Sequence, residues 1–431
     1  RRKNAPKATK TTVTTGEKIT PPDWMNAADT VALFNALTAG GASIRFVGGC
    51  VRDAVLGRTV NDIDLATDAS PARIIELLGE KKIRAIPTGI DHGTITAVPD
   101  HRAYEITTLR EDVATDGRRA DVKYTGDWAV DAARRDFTIN ALSADPDGTV
   151  YDYVGGLADL RAGRVRFIGV AEERIAEDYL RILRFYRFHA TYATTVPDAE
   201  ALQACRDASS QVEKLSGERI WRELSRILVV AEPMQVFALM EEARVLRLLL
   251  PVDRSTSRLQ ALAALEGMVN LAPEPIRRLT ALIQPDRQEA SQIATRLRLS
   301  RTDTARLDNL SVSRGESRAG MPELALRRAL YTLGVDFFQD LILLDWADQI
   351  ARDPATAAGN IMDWKSTWDA AHDWVPPEFP LTGEDIIATG VEEGPEVGDI
   401  LEDIEEWWVE QAFRPDRDGC LDRLRLTMRR R

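Results

Sequence analysis

A glycine pair followed closely by two aspartates is the feature that most constrains this chain. The apolar segment 43–47 predicts a strand that runs into Gly48 and Gly49, and a short helical segment follows. Because glycines let backbone N–H groups approach an anion, this turn is predicted to bind a phosphate. Asp62 and Asp64 come next, at positions i and i+2. The order of strand, glycine turn, helix and paired acids favours a compact unit in which the turn and the acids act together.

The spacing of the two aspartates indicates a metal site. On an extended strand, residues i and i+2 project from the same face, so the two carboxylates are predicted to lie side by side with Ile63 in the core. Oxygen ligands beside a phosphate-binding turn are typical of Mg²⁺, which is held by carboxylates and substrate phosphates. Asp62 and Asp64 are therefore predicted to be metal ligands and catalytic residues of nucleotidyl transfer. Taken alone, they also fit two solvated loop acids, and Glu105 fits either a third ligand or a salt-bridged strand acid.

Length and composition exclude several classes of protein. At 431 residues the chain is expected to form about two to four domains. A net charge of −12 argues against a protein that coats nucleic acid indiscriminately, but it is compatible with a local basic groove. Three cysteines without a Cys-x-x-Cys pair, and only four histidines, argue against a disulfide framework and a zinc site. No apolar run is long enough for a membrane span. Together with the cysteine pattern, this predicts a soluble protein of a reducing compartment.

The apolar pattern divides the chain into a mixed part and a helical part. Strands are predicted near 44–47, 63–66, 95–98, 104–108 and 141–144, and helices at 25–39 and 71–78. Beyond residue 159, amphipathic stretches rich in Leu, Ala and Arg predict helices to the end of the chain. The basic, acid-poor segment 1–20 is predicted to be a disordered arm, with an organelle-targeting peptide as the alternative.

Charged side chains between residues 110 and 136 fit nucleotide binding. Arg134-Arg135-Asp136 offers two cations for triphosphate oxygens and a carboxylate for a ribose hydroxyl, although an ordinary surface ion cluster has the same composition. The polar segment 110–131 can bury little, and it is predicted to be mobile.

The segment 172–189 is predicted to form one continuous amphipathic helix. Its apolar residues recur at helical spacing and form a buried stripe: Ile175, Tyr179, Ile182, Leu183 and Tyr186. Four charged residues project in other directions, and ordinary i, i+3 and i, i+4 ion pairs would explain them: Glu177, Asp178, Arg181 and Arg184.

These motifs, in this order, resemble those of a known enzyme family. The strand, the glycine turn, the helix with Arg52 and Asp53, and Asp-x-Asp are similar to the nucleotidyltransferase superfamily that includes DNA polymerase beta. The segments 87–94, 105–110 and 133–142 resemble successive motifs of class II tRNA nucleotidyltransferases, the CCA-adding enzymes. The segment 215–224 resembles the family's next motif, in which Ser216 is predicted to cap a helix. The resemblance covers most of residues 43–225.

The resemblance implies a fold and a division into domains. The fold class is α+β: a polymerase-beta-like nucleotidyltransferase head with a small mixed sheet, followed by an all-helical neck, body and tail. The expected ranges are 1–20 for the arm, 21–158 for the head, 159–235 for the neck, 236–320 for the body and 321–431 for the tail, which would bind tRNA. Arginines that could track RNA phosphates recur in the helical part, at 277, 278, 296, 298, 301, 306, 327 and 328, and seven more occur from Arg414 to Arg431.

The resemblance also implies an activity. The chain is expected to add the 3′-terminal CCA to tRNA from CTP and ATP, with Mg²⁺ and without a nucleic-acid template, and to release pyrophosphate. Besides the catalytic Asp62 and Asp64, the expected nucleotide-binding residues are Gly48, Gly49, Arg52, Arg134, Asp136, Asp178, Arg181 and Arg184. The expected partners are CTP, ATP and the 3′ end and acceptor region of tRNA, with no membrane and no obligate protein partner.

Asp178 and Arg181 resemble the family's amino-acid template for choosing the base. Asp178 can accept a hydrogen bond from an exocyclic amine while Arg181 donates to a ring nitrogen. Cytosine and adenine both offer that pair of groups, whereas guanine and uracil present a carbonyl and a ring N–H in those places.

Three other functions fit parts of the sequence: the A-adding partner of a split CC/A system, a bacterial poly(A) polymerase, and an RNA-binding scaffold without activity. The complete motifs argue against the scaffold, and the segment 87–94 argues against the polymerase. The expected location is cytoplasmic, with a mitochondrial location as the alternative if the basic N-terminus is a targeting remnant.

Overall fold

The computed structural model describes residues 14–115 and 120–429. The chain forms two compact units, Arg1–Pro251 and Val252–Arg431, which we call unit 1 and unit 2. The finer division into head, neck, body and tail stays a prediction.

Unit 1 is built on an eight-stranded sheet. Its strands follow the order β1-β10-β9-β2-β3-β6-β5-β4, and β7 and β8 form a separate hairpin. The strands are β1 (Thr14–Lys18), β2 (Ile44–Val47), β3 (Asp64–Thr67), β4 (Arg84–Gly89), β5 (Thr94–Val98), β6 (Tyr104–Thr108), β7 (Arg110–Thr115), β8 (Ala120–Tyr124), β9 (Ser143–Ala144) and β10 (Thr149–Asp152). All neighbours are antiparallel except β3 and β6, which run parallel and place Asp64 beside Glu105.

Eleven helices complete the described part of unit 1. They are α1 (Ala28–Ala39), α2 (Gly49–Val55), α3 (Pro71–Glu80), α4 (Trp128–Ala133), α5 (Gly156–Arg161), α6 (Ala171–Glu177), α7 (Leu180–Tyr192), α8 (Ala199–Asp207), α9 (Gly217–Leu228), α10 (Pro233–Glu242) and α11 (Val245–Leu249). Short 3-10 turns occur at Asp23–Met25, Ile90–His92, Thr138–Asn140 and Ser209–Lys214.

Local sequence explains why the sheet and its helices form where they do. On β5 and β6 buried side chains alternate with more exposed ones, as expected for strands with one face in the core: Ile95 and Ala97 are buried, and so are Tyr104 and Ile106. The helix α3 begins with Ser70, whose hydroxyl accepts the Arg73 N–H, followed by a proline at the first helical position.

Unit 2 consists of helices throughout its described residues. They are α12 (Thr256–Met268), α13 (Pro275–Ile283), α14 (Arg287–Leu297), α15 (Arg301–Val312), α16 (Glu323–Leu333), α17 (Val335–Arg352), α18 (Pro354–Gly359), α19 (Ile361–His372), α20 (Gly383–Ile387), α21 (Pro395–Glu410) and α22 (Arg417–Met428). The last three helices share an apolar core that includes Ile386, Ile404, Trp408 and Leu424.

A buried ion cluster joins α12, α13 and α17. Arg277 contacts Glu266 at 2.7 Å and Asp340 at 2.8 Å, and Arg278 contacts the other oxygen of Glu266 at 2.7 Å. All four side chains are almost completely buried. Because Arg277 and Arg278 are buried and paired with acids, these two are not among the arginines that could track RNA phosphates.

The structure confirms the α+β fold class and corrects two local predictions. The predicted strands near 44–47, 63–66, 95–98 and 104–108 are present, whereas in 141–144 only β9 is a strand. Residues 14–18 form β1, paired with β10, so the prediction of a disordered arm is wrong there, and residues 1–13 lie outside the described residues. The described parts of 110–131 form β7, β8 and α4, and the predicted mobility of this segment stays a prediction.

No described helix is long and apolar enough to cross a membrane.

Candidate active site

A cleft in unit 1 brings most of the predicted site residues together. It has a volume of about 520 Å³. Its lining residues are Gly48, Gly49, Arg52, Asp64, Arg110, Arg134, Arg135, Asp136, Asn140, Asp178, Arg181, Arg184, Arg187, Phe188 and Arg226. Nine of the ten residues predicted to act in catalysis or nucleotide binding are among them; Asp62 is the exception.

The glycine turn has the geometry that the sequence predicted. The strand β2 ends at Val47, and α2 begins at Gly49. Gly48 between them has φ +73° and ψ −125°, a backbone conformation that strongly favours glycine. A Cβ on Gly48 would lie 3.1 Å from Nη1 of Arg135, so the turn packs closely against a cation of the cleft.

The two aspartates flank the start of β3. Asp64 is the first residue of β3, whereas Asp62 lies in the exposed connection before it, and Ile63 between them is buried as predicted. Partial burial and then the neighbouring Glu105 raise the pKa of Asp64; Arg135 lowers it, and Asp62 raises it further. The pair was predicted to lie on one strand, and only Asp64 does.

This electrostatic setting fits a divalent cation. Glu105 and Asp62 both disfavour negative charge on Asp64, and a bound cation would relieve that repulsion. Among the described residues, however, no group of three or more His, Cys, Asp or Glu side chains is arranged to hold a metal ion. The donor set that fits is therefore the pair Asp62 and Asp64 supplemented by substrate oxygens, as is common for Mg²⁺.

Two arginines of the cleft share one buried carboxylate. Asp131 of α4 contacts Arg134 at 2.7 Å through one oxygen and Arg135 at 3.1 Å through the other. Burial opposes ionisation of Asp131, but the guanidinium groups of Arg135 and Arg134 hold its pKa below the usual range. Asp131 thus fixes both cations at the cleft. The i, i+3 and i, i+4 spacing from Asp131 was the signal for this arrangement, and the sequence analysis did not use it.

Arg52 is held by three partners. Its Nε and Nη2 donate to the two carboxylate oxygens of Asp53 at 3.0 and 2.8 Å, and its Nη1 donates to Oδ1 of Asn140 at 2.6 Å. The ring of Tyr192 lies 4.0 Å from the guanidinium carbon of Arg52. The guanidinium is therefore fixed beside the glycine turn.

Asp136 and Arg184 form an ion pair in the lining of the cleft. Nε of Arg184 donates to Asp136 at 2.6 Å, and Asp136 also accepts the Phe137 N–H and the Asn140 amide. Burial opposes ionisation, yet Arg184 and these donors hold the pKa of Asp136 below its usual range. Glu223 of α9, which the sequence analysis did not single out, accepts Nε of Arg187 at 2.5 Å.

The predicted helix 172–189 is wrong, because the structure breaks it at Asp178. The helix α6 ends at Glu177, Asp178 is extended with φ −157° and ψ 108°, and α7 begins at Leu180. The carboxylate of Asp178 accepts the Leu180 N–H at 3.1 Å. Aspartate commonly competes with helical hydrogen bonds in this way and favours helix starts over helix interiors.

The helix break places the two predicted base-selecting residues at the cleft. Oδ2 of Asp178 accepts a hydrogen bond from Nη2 of Arg219 at 2.6 Å. Nη1 of Arg181 donates to the carbonyl of Arg174 at 2.8 Å and also contacts Glu177. Arg219 belongs to the motif 215–224, whose predicted cap residue Ser216 does occupy the N-cap of α9 without a side-chain capping bond.

Two family models match parts of the chain. Residues 44–166 match a family model described as the poly A polymerase head domain. Residues 197–252 match a model described as the probable RNA- and SrmB-binding site of polymerase A.

Relatives and solved structures match nearly the whole chain. The human CCA tRNA nucleotidyltransferase 1, mitochondrial, is 33% identical over 397 residues, covering 89% of this chain and 87% of the human protein. The CCA-adding enzyme of Levilactobacillus brevis is 31% identical over 379 residues, covering 86% of this chain and 91% of its own length.

Two solved structures share the fold. The Bacillus stearothermophilus CCA-adding enzyme in complex with CTP has a TM-score of 0.64 and 23% identity, and it covers 93% of this chain and 97% of its own. The Thermotoga maritima CCA-adding enzyme complexed with tRNA CCA has a TM-score of 0.58 and 20% identity, covering 94% and 96%. Because the human and Levilactobacillus brevis relatives are more than 30% identical over most of the chain, it belongs to the family of CCA tRNA nucleotidyltransferases, the CCA-adding enzymes.

Proposed function

We propose that this protein adds the 3′-terminal CCA to tRNA, using CTP and ATP and releasing pyrophosphate. The observation that carries the proposal is the cleft in which Asp64, the glycine turn and the pair Asp178 and Arg181 meet. A glycine turn that can bind phosphates, a candidate metal ligand and a base-reading pair in one cavity are what template-independent choice of a nucleotide requires. Relatives that bear the name of this activity, a CTP complex and a tRNA complex support it.

One group of residues is proposed to bind the phosphates of the nucleotide, and another is proposed to bind its base. Gly48 and Gly49 allow close approach of the triphosphate, and the fixed guanidinium groups of Arg52, Arg134 and Arg135 offer donors to its oxygens. Asp62 and Asp64 would hold Mg²⁺. When bound, that ion supplies Lewis-acid stabilisation of charge at the reacting phosphate.

Asp178 and Arg181 are proposed to select the base. The carboxylate of Asp178 is oriented by Arg219 and the Leu180 N–H, and it keeps lone pairs that can accept an exocyclic amine. Arg181, in the first turn of α7, can donate to the adjacent ring nitrogen. A carbonyl in place of the amine would face the carboxylate and be rejected, because acceptor would meet acceptor. Asp136 and Arg184, which form an ion pair in the same cleft, are proposed to contact the same nucleotide.

A single assay tests the activity. We would incubate the protein with tRNA that ends before CCA, supply CTP, ATP or both with Mg²⁺, and sequence the product ends. The proposal predicts completed CCA ends only when both nucleotides are present. Addition of A alone to a CC-ending substrate would assign the A-adding function, and long A tails would assign a poly(A) polymerase. No addition to any substrate would overturn the proposal.

An acid-to-amide variant tests the assignment of the acids. Asp64→Asn should reduce incorporation by at least about 10²-fold while tRNA binding stays close to that of the unmodified protein, because the acid serves the chemical step. Asp100→Asn, an exposed aspartate outside the cleft, is the matched control. Normal turnover in Asp64→Asn would refute the metal assignment.

The expected cytoplasmic location, with a mitochondrial one as the alternative, stays a prediction.

A further inference from the structure

We propose that Tyr192 is a positioning residue for the nucleotide's phosphates and that it acts through Arg52. The inference rests on the proposed function, because it assumes that Arg52 contacts the triphosphate. It concerns a residue outside the segments that resemble known motifs and outside the lining of the cleft.

Tyr192 holds the ion pair of Arg52 and Asp53 from one side. Its hydroxyl donates to Oδ1 of Asp53 at 2.9 Å, and this oxygen also accepts Nε of Arg52. Its ring lies 4.0 Å from the guanidinium carbon of Arg52, and Phe188 lies on the same guanidinium at 5.3 Å. One side chain therefore fixes both the carboxylate and the plane of the cation.

The remaining donors of Arg52 face the phosphate-binding turn. Among residues 14–115 and 120–429, its three hydrogen bonds to Asp53 and Asn140 leave two of the five guanidinium N–H groups for a ligand. Nη2 lies 3.5 Å from the position that a Cβ on Gly49 would take, so the guanidinium lies against the turn. A guanidinium fixed in this way loses less side-chain entropy when it binds a phosphate.

The helix α7 carries both Tyr192 and the arginine that is proposed to select the base. Arg181 lies in the first turn of α7, and Tyr192 is its last residue. A helix of this length spans about 20 Å, so one element carries both Arg181 and, at its other end, the tyrosine that contacts Arg52. Arg58 supports the C-terminal end of α7, where its Nη1 donates to the carbonyl of Thr191 at 3.2 Å. Tyr192 should therefore affect phosphate binding without affecting the choice of base.

Unit 1 contains a matched arrangement away from the cleft. The ring of Tyr151 lies 3.6 Å from the guanidinium carbon of Arg45, its hydroxyl donates to Asp145 at 2.7 Å, and Arg45 contacts Asp145 at 3.4 Å. None of these three residues lines the cleft. Tyr151→Leu thus removes an equivalent tyrosine contact with an Arg–Asp ion pair, and it serves as the control for stability.

The test compares Tyr192→Leu and Tyr192→Phe with Tyr151→Leu. Inorganic tripolyphosphate, titrated by calorimetry, reports phosphate binding without turnover, and steady-state assays give KM and kcat for CTP and ATP. Tyr192→Leu should raise the Kd for tripolyphosphate and both KM values by about tenfold, and Tyr192→Phe, which keeps the ring, by about threefold. The kcat values and the frequency of UMP and GMP incorporation should stay within about twofold, and Tyr151→Leu should match the unmodified protein.

Three results would overturn the inference: unchanged tripolyphosphate binding in Tyr192→Leu, an effect on one nucleotide only, or an equal loss in Tyr151→Leu. Circular dichroism at the assay temperature confirms that each variant is folded, and Tyr192→Phe gives a second reading if Tyr192→Leu is not. Unmodified protein that adds no CCA would overturn the proposed function instead, so the two failures are distinguishable.

Discussion

The surroundings of Asp64 in the cleft disfavour ionisation of its carboxyl group. Burial, Glu105 and Asp62 all raise its pKa, and only Arg135 among the named neighbours opposes them. Ionised Asp64 is therefore disfavoured in the folded protein relative to the unfolded chain. Binding sites often contain charged groups whose ionisation is unfavourable until the ligand binds. Replacing such a group with a neutral one therefore often stabilises the folded protein.

Asp64→Asn should therefore raise the melting temperature of the metal-free protein near neutral pH. Because the folded pKa of Asp64 lies above the unfolded value, its ionisation lowers stability as the pH rises through the folded pKa. The gain from the amide should be largest at about pH 8 and should vanish below the unfolded pKa. Thermal melts in a chelator across this range measure it, with exposed Asp100→Asn as the control. A pH-independent difference would contradict the electrostatic explanation.

Arg219 is the second residue whose contribution can be isolated. It binds the carboxylate that is proposed to read the base, through a 2.6 Å contact with Asp178. Arg219→Gln should loosen that carboxylate and raise misincorporation of UMP and GMP by about tenfold, since one charge-assisted hydrogen bond is lost. Competition assays with mixed nucleotides measure the ratio.

Arg222→Gln, an exposed arginine on the same helix, is the matched control for Arg219. If Arg219 acts through Asp178, the double variant with Asp178→Asn should be little worse than Asp178→Asn alone. Additive losses would show that Arg219 has an independent role.

At the scale of elements, the strand–turn–helix around Gly48 is the part whose conformation is most strictly tied to sequence. With φ +73° and ψ −125°, Gly48 lies outside the left-handed helical region, so a side chain there is strained by more than the ~1–2 kcal/mol that this region costs. Gly57 has a similar φ of +65°, but a Cβ there would meet no atom within 4 Å. A substitution at Gly57 therefore tests the effect of a positive φ without obstruction of the cleft.

Gly48→Ala and Gly57→Ala should both lose stability, with the larger loss in Gly48→Ala because of its ψ of −125°, and only Gly48→Ala should lose activity. In Gly48→Ala the new methyl group lies 3.1 Å from Nη1 of Arg135 and obstructs the turn, so incorporation should fall by at least about tenfold. Gly57→Ala should keep its activity. Urea unfolding and incorporation assays on both variants check this. Equal activity in the two variants would argue against a role for the turn in phosphate binding.

Elements defined by local signals were predictable from the sequence, and elements that depend on distant partners were not. The order of β2, Gly48 and α2 follows from a short apolar run, a glycine pair and a helical pattern. In contrast, β1 exists because β10 pairs with it, far along the chain. The break between α6 and α7 was missed because the apolar stripe continues across it, while the deciding contact is the bond from Leu180 to the Asp178 side chain.

The site shows the same division between local and distant signals. The sequence located Asp64, the glycine turn and the pair Asp178 and Arg181, since each lies in a compact motif. It could not show that Arg219 or Glu223 of α9 would contact residues near α7, because helix packing decides those contacts. Nor could it show that Asp62 precedes β3 instead of belonging to it.

For the whole molecule, the acidic total conceals a basic cleft. The net charge is −12, yet eight arginines and three aspartates line the cleft. Several of these arginines are neutralised by buried acids such as Asp131 and Glu223, so the cleft holds fixed cations without a large unpaired charge. A protein of this kind should bind phosphates locally and repel nucleic acid elsewhere.

Every residue that lines the cleft belongs to unit 1, and this makes nucleotide binding separable from unit 2. A chain that ends at Pro251 should bind CTP with a Kd within about threefold of the full-length value. Its affinity for tRNA should fall, because the tail is the expected tRNA-binding part. Calorimetry measures the affinity for CTP, and gel-shift titration measures the affinity for tRNA. Circular dichroism shows whether the shortened chain is folded.

The full-length chain offers an independent check of that separation. Arg277→Ala leaves Glu266 and Asp340 buried without their shared cation, and losing one partner of a buried ion pair costs about 3–5 kcal/mol. If the cleft depends on unit 1 alone, this variant should unfold unit 2 at a lower temperature while CTP still binds and shifts the melting of unit 1 upward. Loss of CTP binding in a variant whose unit 1 remains folded would show that the cleft needs unit 2, and that the division of labour argued from its lining residues is wrong.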